Sequence, residues 1–162
     1  MIVVADTSPI INLAAIGQLD LLHRLYGTLW IPDAVYREIA ETGAGEPGSA
    51  EVQSLDWIER HSARRLDLVT ALRLELDPGE AEAIALAIEN KSDLLLIDER
   101  RGRHIAARFD LKMLGLLGVL VEARRTGLIP SVSPLLSELS RAAGFYMTPE
   151  LINRVKAACG EA

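Results

Sequence analysis

The sequence predicts an α/β domain with a central parallel sheet and right-handed crossovers. Short apolar runs, rich in leucine or β-branched residues, alternate along the chain with amphipathic stretches of helical period. Apolar residues make up 49% of the chain and aromatic residues only 4%, so the core must consist mainly of aliphatic side chains. The length of 162 residues suffices for one globular domain with a sizeable core.

The N-terminal part predicts a strand, two short helices and a second strand. The β-branched run Ile2–Ala5 ends at Asp6, and Thr7-Ser8-Pro9 predicts a helix cap followed by proline at the first helical position. An apolar stripe then continues through two short helices that are broken near Gly17. The second strand is predicted at Leu29–Ile31.

The next stretch predicts a helix, a loop, another helix and a third strand. Pro32-Asp33 opens a helix that carries Val35 and Ile39 on its inner face. The stretch 42–49 is rich in glycine and predicts a loop. A further helix is predicted from Ser49, and a strand is expected around Trp57-Ile58.

In the second half, the pattern again alternates between helix and strand. Leu66–Leu76 is predicted to be helical, and Asp77-Pro78-Gly79-Glu80 has the form of a capping box that starts a helix. Asp93–Asp98 is a nearly continuous apolar strand, typical of a parallel sheet buried on both faces. The remaining predicted elements are a helix over Arg100–Phe109, a strand over Leu111–Leu114, a helix over Leu116–Arg125 and two helices around Leu135–Ala142 and Pro149–Ala158. Residues 1–162 are expected to form a single domain, with 130–162 as a helical C-terminal extension.

Composition argues against several classes of protein. The net charge of -6 does not favour binding of nucleic acid by bulk charge, although a local basic patch or bound metal ions could still serve. The low aromatic content argues against stacking platforms for single-stranded nucleic acid. Cys159 is the only cysteine, which excludes a disulfide framework and a cysteine-ligated zinc site within one chain.

Two carboxylates are expected at one edge of the sheet. Ligand sites of open parallel sheets form beyond the carboxyl ends of the strands, and Asp6 and Asp98 each follow directly after an apolar strand. Each could instead cap the helix that follows it. Two such residues on strands that are expected to be neighbours favour a functional site.

Glu80 and Glu38 are the further acidic candidates. The helix that begins at Pro78 can place Glu80 over the same sheet edge, but a glutamate at this position is also ordinary capping chemistry. Glu38 flanks the inner face of its helix, and a solvated helix face is its alternative interpretation.

Convergence of these four carboxylates would require a cation. Two such charges at ~4 Å repel each other by about 4 kcal/mol at an effective dielectric constant near 20. Oxygen ligands select hard ions, so Mg²⁺ or Mn²⁺ is expected. Such an ion lowers the pKa of bound water and neutralises charge that develops on a phosphate, as hydrolysis of a phosphodiester requires.

Four motifs resemble the acidic signatures of the PIN-domain family, and they occur in the family's order over residues 1 to about 127. They are Val4-Ala5-Asp6-Thr7-Ser8-Pro9, Ile31-Pro32-Asp33-Ala34-Val35 leading to Glu38, Pro78-Gly79-Glu80-Ala81-Glu82-Ala83-Ile84, and Leu95-Leu96-Ile97-Asp98-Glu99.

The resemblance implies an α/β/α sandwich and a metal-dependent ribonuclease, often the toxin of a toxin–antitoxin pair of the VapC type. By position, Asp6, Glu38, Glu80 and Asp98 match the family's catalytic, metal-binding acidic quartet, and Ser8 matches a small hydroxyl residue near the metal. Many toxins of the family use Asp where Glu80 stands, and they often carry Thr or Ser two residues before the last acid. The chain therefore resembles a less characterised branch.

The helix after Asp98 is strongly basic and could attract an RNA backbone toward the acidic pocket. Its basic residues are Arg100, Arg101, Arg103, His104 and Arg108. Arg101 and Arg103 are the expected substrate contacts, whereas a solvated helix face is the alternative.

The sequence thus predicts an Mg²⁺- or Mn²⁺-dependent endoribonuclease that hydrolyses RNA phosphodiester bonds. The alternative is a catalytically inactive PIN-fold module that regulates or binds another protein. Expected partners are RNA and, by the resemblance, an antitoxin protein. A homodimer is also expected, because the leucine-rich stretches Leu19–Leu25 and Leu116–Leu120 offer more apolar surface than one small sheet covers and because the chain resembles a family that commonly dimerises. No signal peptide or membrane span is predicted, so a cytoplasmic location is expected.

Overall fold

A five-stranded, all-parallel sheet forms the centre of the protein in a computed structural model that describes residues 1–162. The strands are β1 (Val3–Ala5), β2 (Leu29–Pro32), β3 (Ile58–His61), β4 (Leu94–Leu96) and β5 (Met113–Leu114). Their spatial order is β3-β2-β1-β4-β5. The prediction of an α/β fold with a central parallel sheet is confirmed.

Ten α-helices accompany the sheet, and none has the length and apolar character that crossing a bilayer requires. They are α1 (Thr7–Ala15), α2 (Asp20–Tyr26), α3 (Asp33–Arg37), α4 (Ser49–Ser54), α5 (Leu66–Leu72), α6 (Pro78–Glu89), α7 (Arg100–Ala107), α8 (Leu116–Arg125), α9 (Ser133–Arg141) and α10 (Pro149–Ala158). A π-helical turn, Glu38–Thr42, continues α3. In this turn the backbone N–H of Gly43 donates to the carbonyl of Glu38 at 2.9 Å.

Helices cover both faces of the sheet, since successive side chains of a strand point to opposite sides. On β1, Val3 and Ala5 belong to one cluster of 25 buried apolar residues, whereas Val4 belongs to another of 14. The larger cluster includes side chains from α1, α2, α8, α9 and α10, and the smaller one includes side chains from α5, α6 and α7. The sheet therefore lies between two helical layers, as in the expected α/β/α sandwich.

The order of the strands reverses beside β1. The chain runs outward from β1 to β2 and β3, and then returns to the other side of β1 with β4 and β5. Such a reversal opens a crevice beyond the carboxyl ends of the two strands that flank it. The N–H of Asp6 donates to the carbonyl of Leu96 at 3.0 Å, so the residues that follow β1 and β4 meet at this edge.

Some predicted boundaries are wrong by a few residues. The helix predicted over Leu66–Leu76 ends at Leu72, and hydrogen-bonded turns continue to Leu76. Asp77 then takes the extended conformation that a residue before proline favours. Helix α1 begins at Thr7 itself, with Asp6 at the N-cap position, so Pro9 is the third helical residue. Proline is tolerated there because the N–H groups of the first turn have no partner within the helix.

The leucines that suggested an apolar dimer surface are buried within a single chain. Leu19, Leu21 and Leu22 are at most 6% exposed, and Leu116 and Leu120 are fully buried. They belong to the same cluster as residues of α9 and α10, the C-terminal helices. The surface argument for a homodimer is therefore wrong, and only the family resemblance supports one.

The carboxylate of Glu161 ties the end of the chain to the start of α9. It accepts hydrogen bonds from the hydroxyls of Ser131 and Ser133, both at 2.6 Å, and from the N–H of Val132 at 2.9 Å. These bonds lower the pKa of Glu161 to about 2. Helix α9 has no capping side chain at its own N-cap position, so Glu161 supplies acceptors that the helix start needs.

Replacement of this carboxylate should loosen the start of α9. In Glu161→Gln we expect a lower thermal midpoint at neutral pH and faster hydrogen exchange of the Val132 and Ser133 amides. The pKa of Glu161 lies below its ordinary value of 4.5, so its stabilisation is present above that pH and is lost as pH falls toward about 2. As the pH falls from 4.5 toward about 2, the variant should therefore lose less stability than the wild type. Glu46→Gln, at an exposed loop residue, is the control, and identical acid profiles of Glu161→Gln and wild type would contradict the assignment.

Candidate active site

Asp6 is a buried carboxylate at the carboxyl end of β1. It is 4% exposed, and although it occupies the N-cap position of α1, its side chain makes no capping hydrogen bond. Burial raises the pKa of Asp6 to about 7; the backbone N–H of Thr7 opposes this shift, and the charges of Asp77, Glu80 and Glu38 add to it. Capping therefore does not account for Asp6, and the structure surrounds it with other carboxylates.

The two oxygens of Glu80 have different environments. The expected capping box is present, because Asp77 Oδ1 accepts from the N–H of Glu80 at 2.8 Å and Glu80 Oε1 accepts from the N–H of Asp77 at 3.4 Å. Glu80 Oε2 is buried and has no hydrogen-bond partner. A buried carboxylate oxygen without a partner is costly. Capping thus explains one oxygen of Glu80 and leaves the other free.

Burial, together with the hydrogen bond and charge of Asp77, also raises the pKa of Glu80 to about 7. Two acids on one sheet edge, Asp6 and Glu80, therefore hold their protons up to neutral pH when no cation is bound.

Glycines make room for three of these carboxylates. A Cβ atom on Gly79 would lie 3.1 Å from Glu38 Oε2 and 3.3 Å from Asp6 Oδ1, and one on Gly102 would lie 2.8 Å from Glu80 Oε2. The oxygens of Asp6 and Glu38 thus border the same small space over Gly79, and any larger residue there would fill it.

Glu38 lies at the exposed start of the π-helical turn, and its carboxylate is held from α1. Glu38 Oε2 accepts a hydrogen bond from Thr7 Oγ1 at 2.9 Å. The residue is therefore more than part of a solvated helix face. The sequence did not predict this role of Thr7, because its partner lies 31 positions away along the chain.

Asp98 is half-buried and accepts two hydrogen bonds. Its Oδ1 accepts from the N–H of Leu116 at 2.7 Å, and its Oδ2 accepts from Ser8 Oγ at 3.2 Å. It does not cap α7, the helix that follows it, but binds the first residue of α8 instead. Burial raises the pKa of Asp98, against the lowering effect of these hydrogen bonds and of Arg103.

The basic helix α7 presents only some of its arginines to Asp98. Arg100 and Arg103 line a cleft of about 660 Å³ together with Asp98 and Ser8. Arg103 also donates to the carbonyl of Ile97 at 2.9 Å. Arg101 does not line this cleft, and its guanidinium donates to the carbonyl of Glu75 at 3.1 Å. Arg100 therefore lies beside Arg103 in this cleft, whereas Arg101, one of the two expected substrate contacts, does not line it.

The chemistry of this donor set fits a hard divalent cation. Its groups are carboxylates and hydroxyls, the oxygen ligands that Mg²⁺ and Mn²⁺ take. The free Oε2 of Glu80 and the shared space between Asp6 and Glu38 are the features that suit an ion. The side chains do not stand in a closed cage: no group of three or more His, Cys, Asp or Glu residues is placed to hold a metal. Hydrogen bonds occupy both oxygens of Asp98 and one oxygen each of Glu38 and Glu80.

Without divalent cations, the protein should become less stable as pH rises from about 4 to 8. The folded-state pKa values of Asp6 and Glu80 lie near 7, above their ordinary values of 3.8 and 4.5. The folded chain therefore binds more protons than the unfolded chain over this interval, and stability falls as they leave. One pKa unit corresponds to about 1.36 kcal/mol, so the change at Asp6 alone, from 3.8 to about 7, amounts to a loss of roughly 4 kcal/mol.

Urea unfolding in a chelator across this pH range measures the effect. Asp6→Asn should flatten the profile and raise the midpoint at pH 8, because it removes a buried like charge. Asp20→Asn, at an exposed carboxylate on α2, should retain the wild-type profile. Parallel profiles for wild type and Asp6→Asn would contradict the raised pKa.

Comparison with known proteins agrees with the fold. A family model described as DUF3368, PIN domain, matches residues 2–161. No match was found among curated proteins. PIN domains are generally nucleases, which makes this a nuclease-type fold. Because the match spans nearly all of the 162 residues, the chain belongs to the PIN-domain family.

Proposed function

We propose that this protein is an Mg²⁺- or Mn²⁺-dependent endoribonuclease that hydrolyses phosphodiester bonds of RNA. The observation that carries the proposal is the pair of buried acids, Asp6 and Glu80, beside Glu38 and Asp98 at the edge where the strand order reverses. A buried, unpartnered Glu80 oxygen at this edge is costly unless a ligand satisfies it. Membership of a family of nucleases supports the same function.

Asp6, Glu38, Glu80 and Asp98 are the residues that would hold the cation. When bound, the cation lowers the pKa of a water molecule and neutralises charge that develops on the phosphate. The chain contributes orientation: the Thr7 hydroxyl holds Glu38, and two donors to Asp98 fix that carboxylate.

Proton binding by Asp6 and Glu80 opposes cation binding. Both pKa values lie near 7 in the free protein, so protons compete with the cation below that pH. Above it the two carboxylates repel each other, and a divalent ion relieves that repulsion. Repulsion between the two ionised carboxylates thus lowers the stability of the fold, and binding of a cation or of protons removes this repulsion.

The biological setting that we propose is a toxin of a VapC-like toxin–antitoxin pair in the cytoplasm. In this setting an antitoxin protein binds and restrains the nuclease, and the chain forms a homodimer as related toxins commonly do. RNA approaches through Arg100 and Arg103, the two arginines that line the cleft with Asp98. Local positive charge is needed because the chain as a whole carries a net charge of -6.

Removal of either sheet-edge aspartate should abolish cleavage. We expect Asp6→Asn and Asp98→Asn to reduce Mn²⁺-dependent cleavage of single-stranded RNA by at least about 100-fold, the scale on which loss of one charge-stabilising group acts. Gel analysis of labelled RNA with Mn²⁺, Mg²⁺ or chelator measures this, with Asp20→Asn as the control. Full activity of both variants would disprove the site, whereas an inactive wild type with either metal would favour the regulatory or protein-binding module.

Glu80→Gln separates the two roles of Glu80, because glutamine also serves in a capping box but carries no charge. If the free oxygen binds a cation, the variant should keep its thermal stability without metal, bind Mn²⁺ more weakly by calorimetry and lose most of its activity. A residue that only caps α6 would lose at most a few tenths of a kcal/mol and leave cleavage normal. Normal cleavage at limiting Mn²⁺ would thus return Glu80 to a purely capping role.

A further inference from the structure

The cleft beside Asp98 is lined in part by the C-terminal part of the chain. Its lining includes Ser8, Asn12 and Asp98 and also residues 143–146, which connect α9 to α10. The cleft therefore joins the acidic edge to a segment that plays no part in the proposed hydrolysis.

This segment presents one aromatic ring to solvent. Tyr146 is 83% exposed, although both of its neighbours are anchored. Phe145 packs against the larger core cluster and donates its backbone N–H to the carbonyl of Leu139 at 2.9 Å, and Met147 is buried. Gly144 takes a φ of 66°, which lets the chain turn ahead of Phe145. The Tyr146 ring thus lines the cleft between two anchored neighbours, with most of its surface uncovered.

Two arginines supply the positive charge of the cleft. Arg100 and Arg103 line it, and they also border an adjoining depression of about 460 Å³ with Asp98 and His104 that no hydrophobic residue lines. The two arginines face the carboxylates of Asp98 and Glu99 in the cleft, whereas Asp98 is the only carboxylate of the adjoining depression. A ligand that fits this arrangement carries an anionic group for the guanidinium groups and a flat ring for Tyr146.

A nucleotide within single-stranded RNA has both features. Its phosphate suits an arginine pair, and an unpaired base can stack on an aromatic side chain. Bases within a duplex are already stacked and paired, so they cannot reach Tyr146. The low aromatic content of the chain argued against stacking platforms, but a single exposed ring beside the acidic edge is enough for one base.

We infer that this cleft binds one nucleotide of single-stranded RNA next to the site of cleavage, with its base on Tyr146 and its phosphate at Arg100 and Arg103. The inference rests on the proposed function for its choice of RNA as the ligand. It assigns to the connection between α9 and α10 a positioning role in substrate binding, outside the acidic site.

The test measures RNA binding without cleavage. A short labelled single-stranded RNA is titrated with protein that carries Asp6→Asn in chelator, and fluorescence anisotropy gives Kd. Adding Tyr146→Ala should weaken binding roughly tenfold, which corresponds to about 1.4 kcal/mol. Tyr146→Phe should bind like the parent, and Tyr146→Leu should bind like Tyr146→Ala because it keeps an apolar side chain without a π-system. Phe109→Ala is the matched control, since Phe109 is 42% exposed but lies outside the cleft.

Several results would overturn the inference. The first is equal RNA binding by Tyr146→Ala and its parent, and the second is the absence of any RNA binding by the parent. The third is parent-like RNA binding by Tyr146→Leu, which would indicate an apolar protein contact instead. In an active enzyme, Tyr146→Ala should raise KM and leave kcat nearly unchanged, because stacking acts equally on bound substrate and transition state. A wild type that cleaves no RNA but binds it through Tyr146 would refute the proposed function while supporting this cleft.

Discussion

The meeting of carboxylates where the strand order reverses is the constraint on which the rest of the structure depends. Strands β1 and β4 pair directly, and their buried side chains fix the backbone just before Asp6 and Asp98. Neither acid can move away from this edge without disturbing the hydrogen bonds between β1 and β4. The surrounding structure therefore adapts to them, with glycines at closely packed positions and the start of α8 bonded to Asp98.

Local sequence was sufficient to predict which acids stand at strand ends and at a helix start. Asp6 and Asp98 stand directly after apolar runs, and the capping box located Glu80 at the start of α6. The hydrogen bond between Thr7 and Glu38 joins residues 31 positions apart, so no local pattern could reveal it. The same holds for the burial of the leucine-rich helices, which depends on how α9 and α10 return over the sheet.

Glu80 shows how closely folding and function are joined in this domain. One of its oxygens completes the start of α6, and the other stays buried without a partner. The same side chain therefore contributes to the stability of α6 and to the candidate site. The packing of two separate apolar clusters offsets the unfavourable burial of its free oxygen. Arg103 resembles it in this respect, because it holds the carbonyl of Ile97 and also faces the cleft.

The π-helical turn at Glu38–Thr42 sets the direction in which the chain leaves α3. A π turn contains one residue more than an α-helical turn, and each helical residue advances the chain by about 100° around the axis. Deletion of one residue between 39 and 42 would leave Glu38 beside Thr7 but swing the glycine-rich loop around the helix. That loop, through Gly43 and Glu46, borders a depression that Glu38 shares. The extra residue thus sets where the glycine-rich loop lies relative to the acidic edge. Related chains whose loops leave α3 in another direction need differ from this one by only a single insertion or deletion.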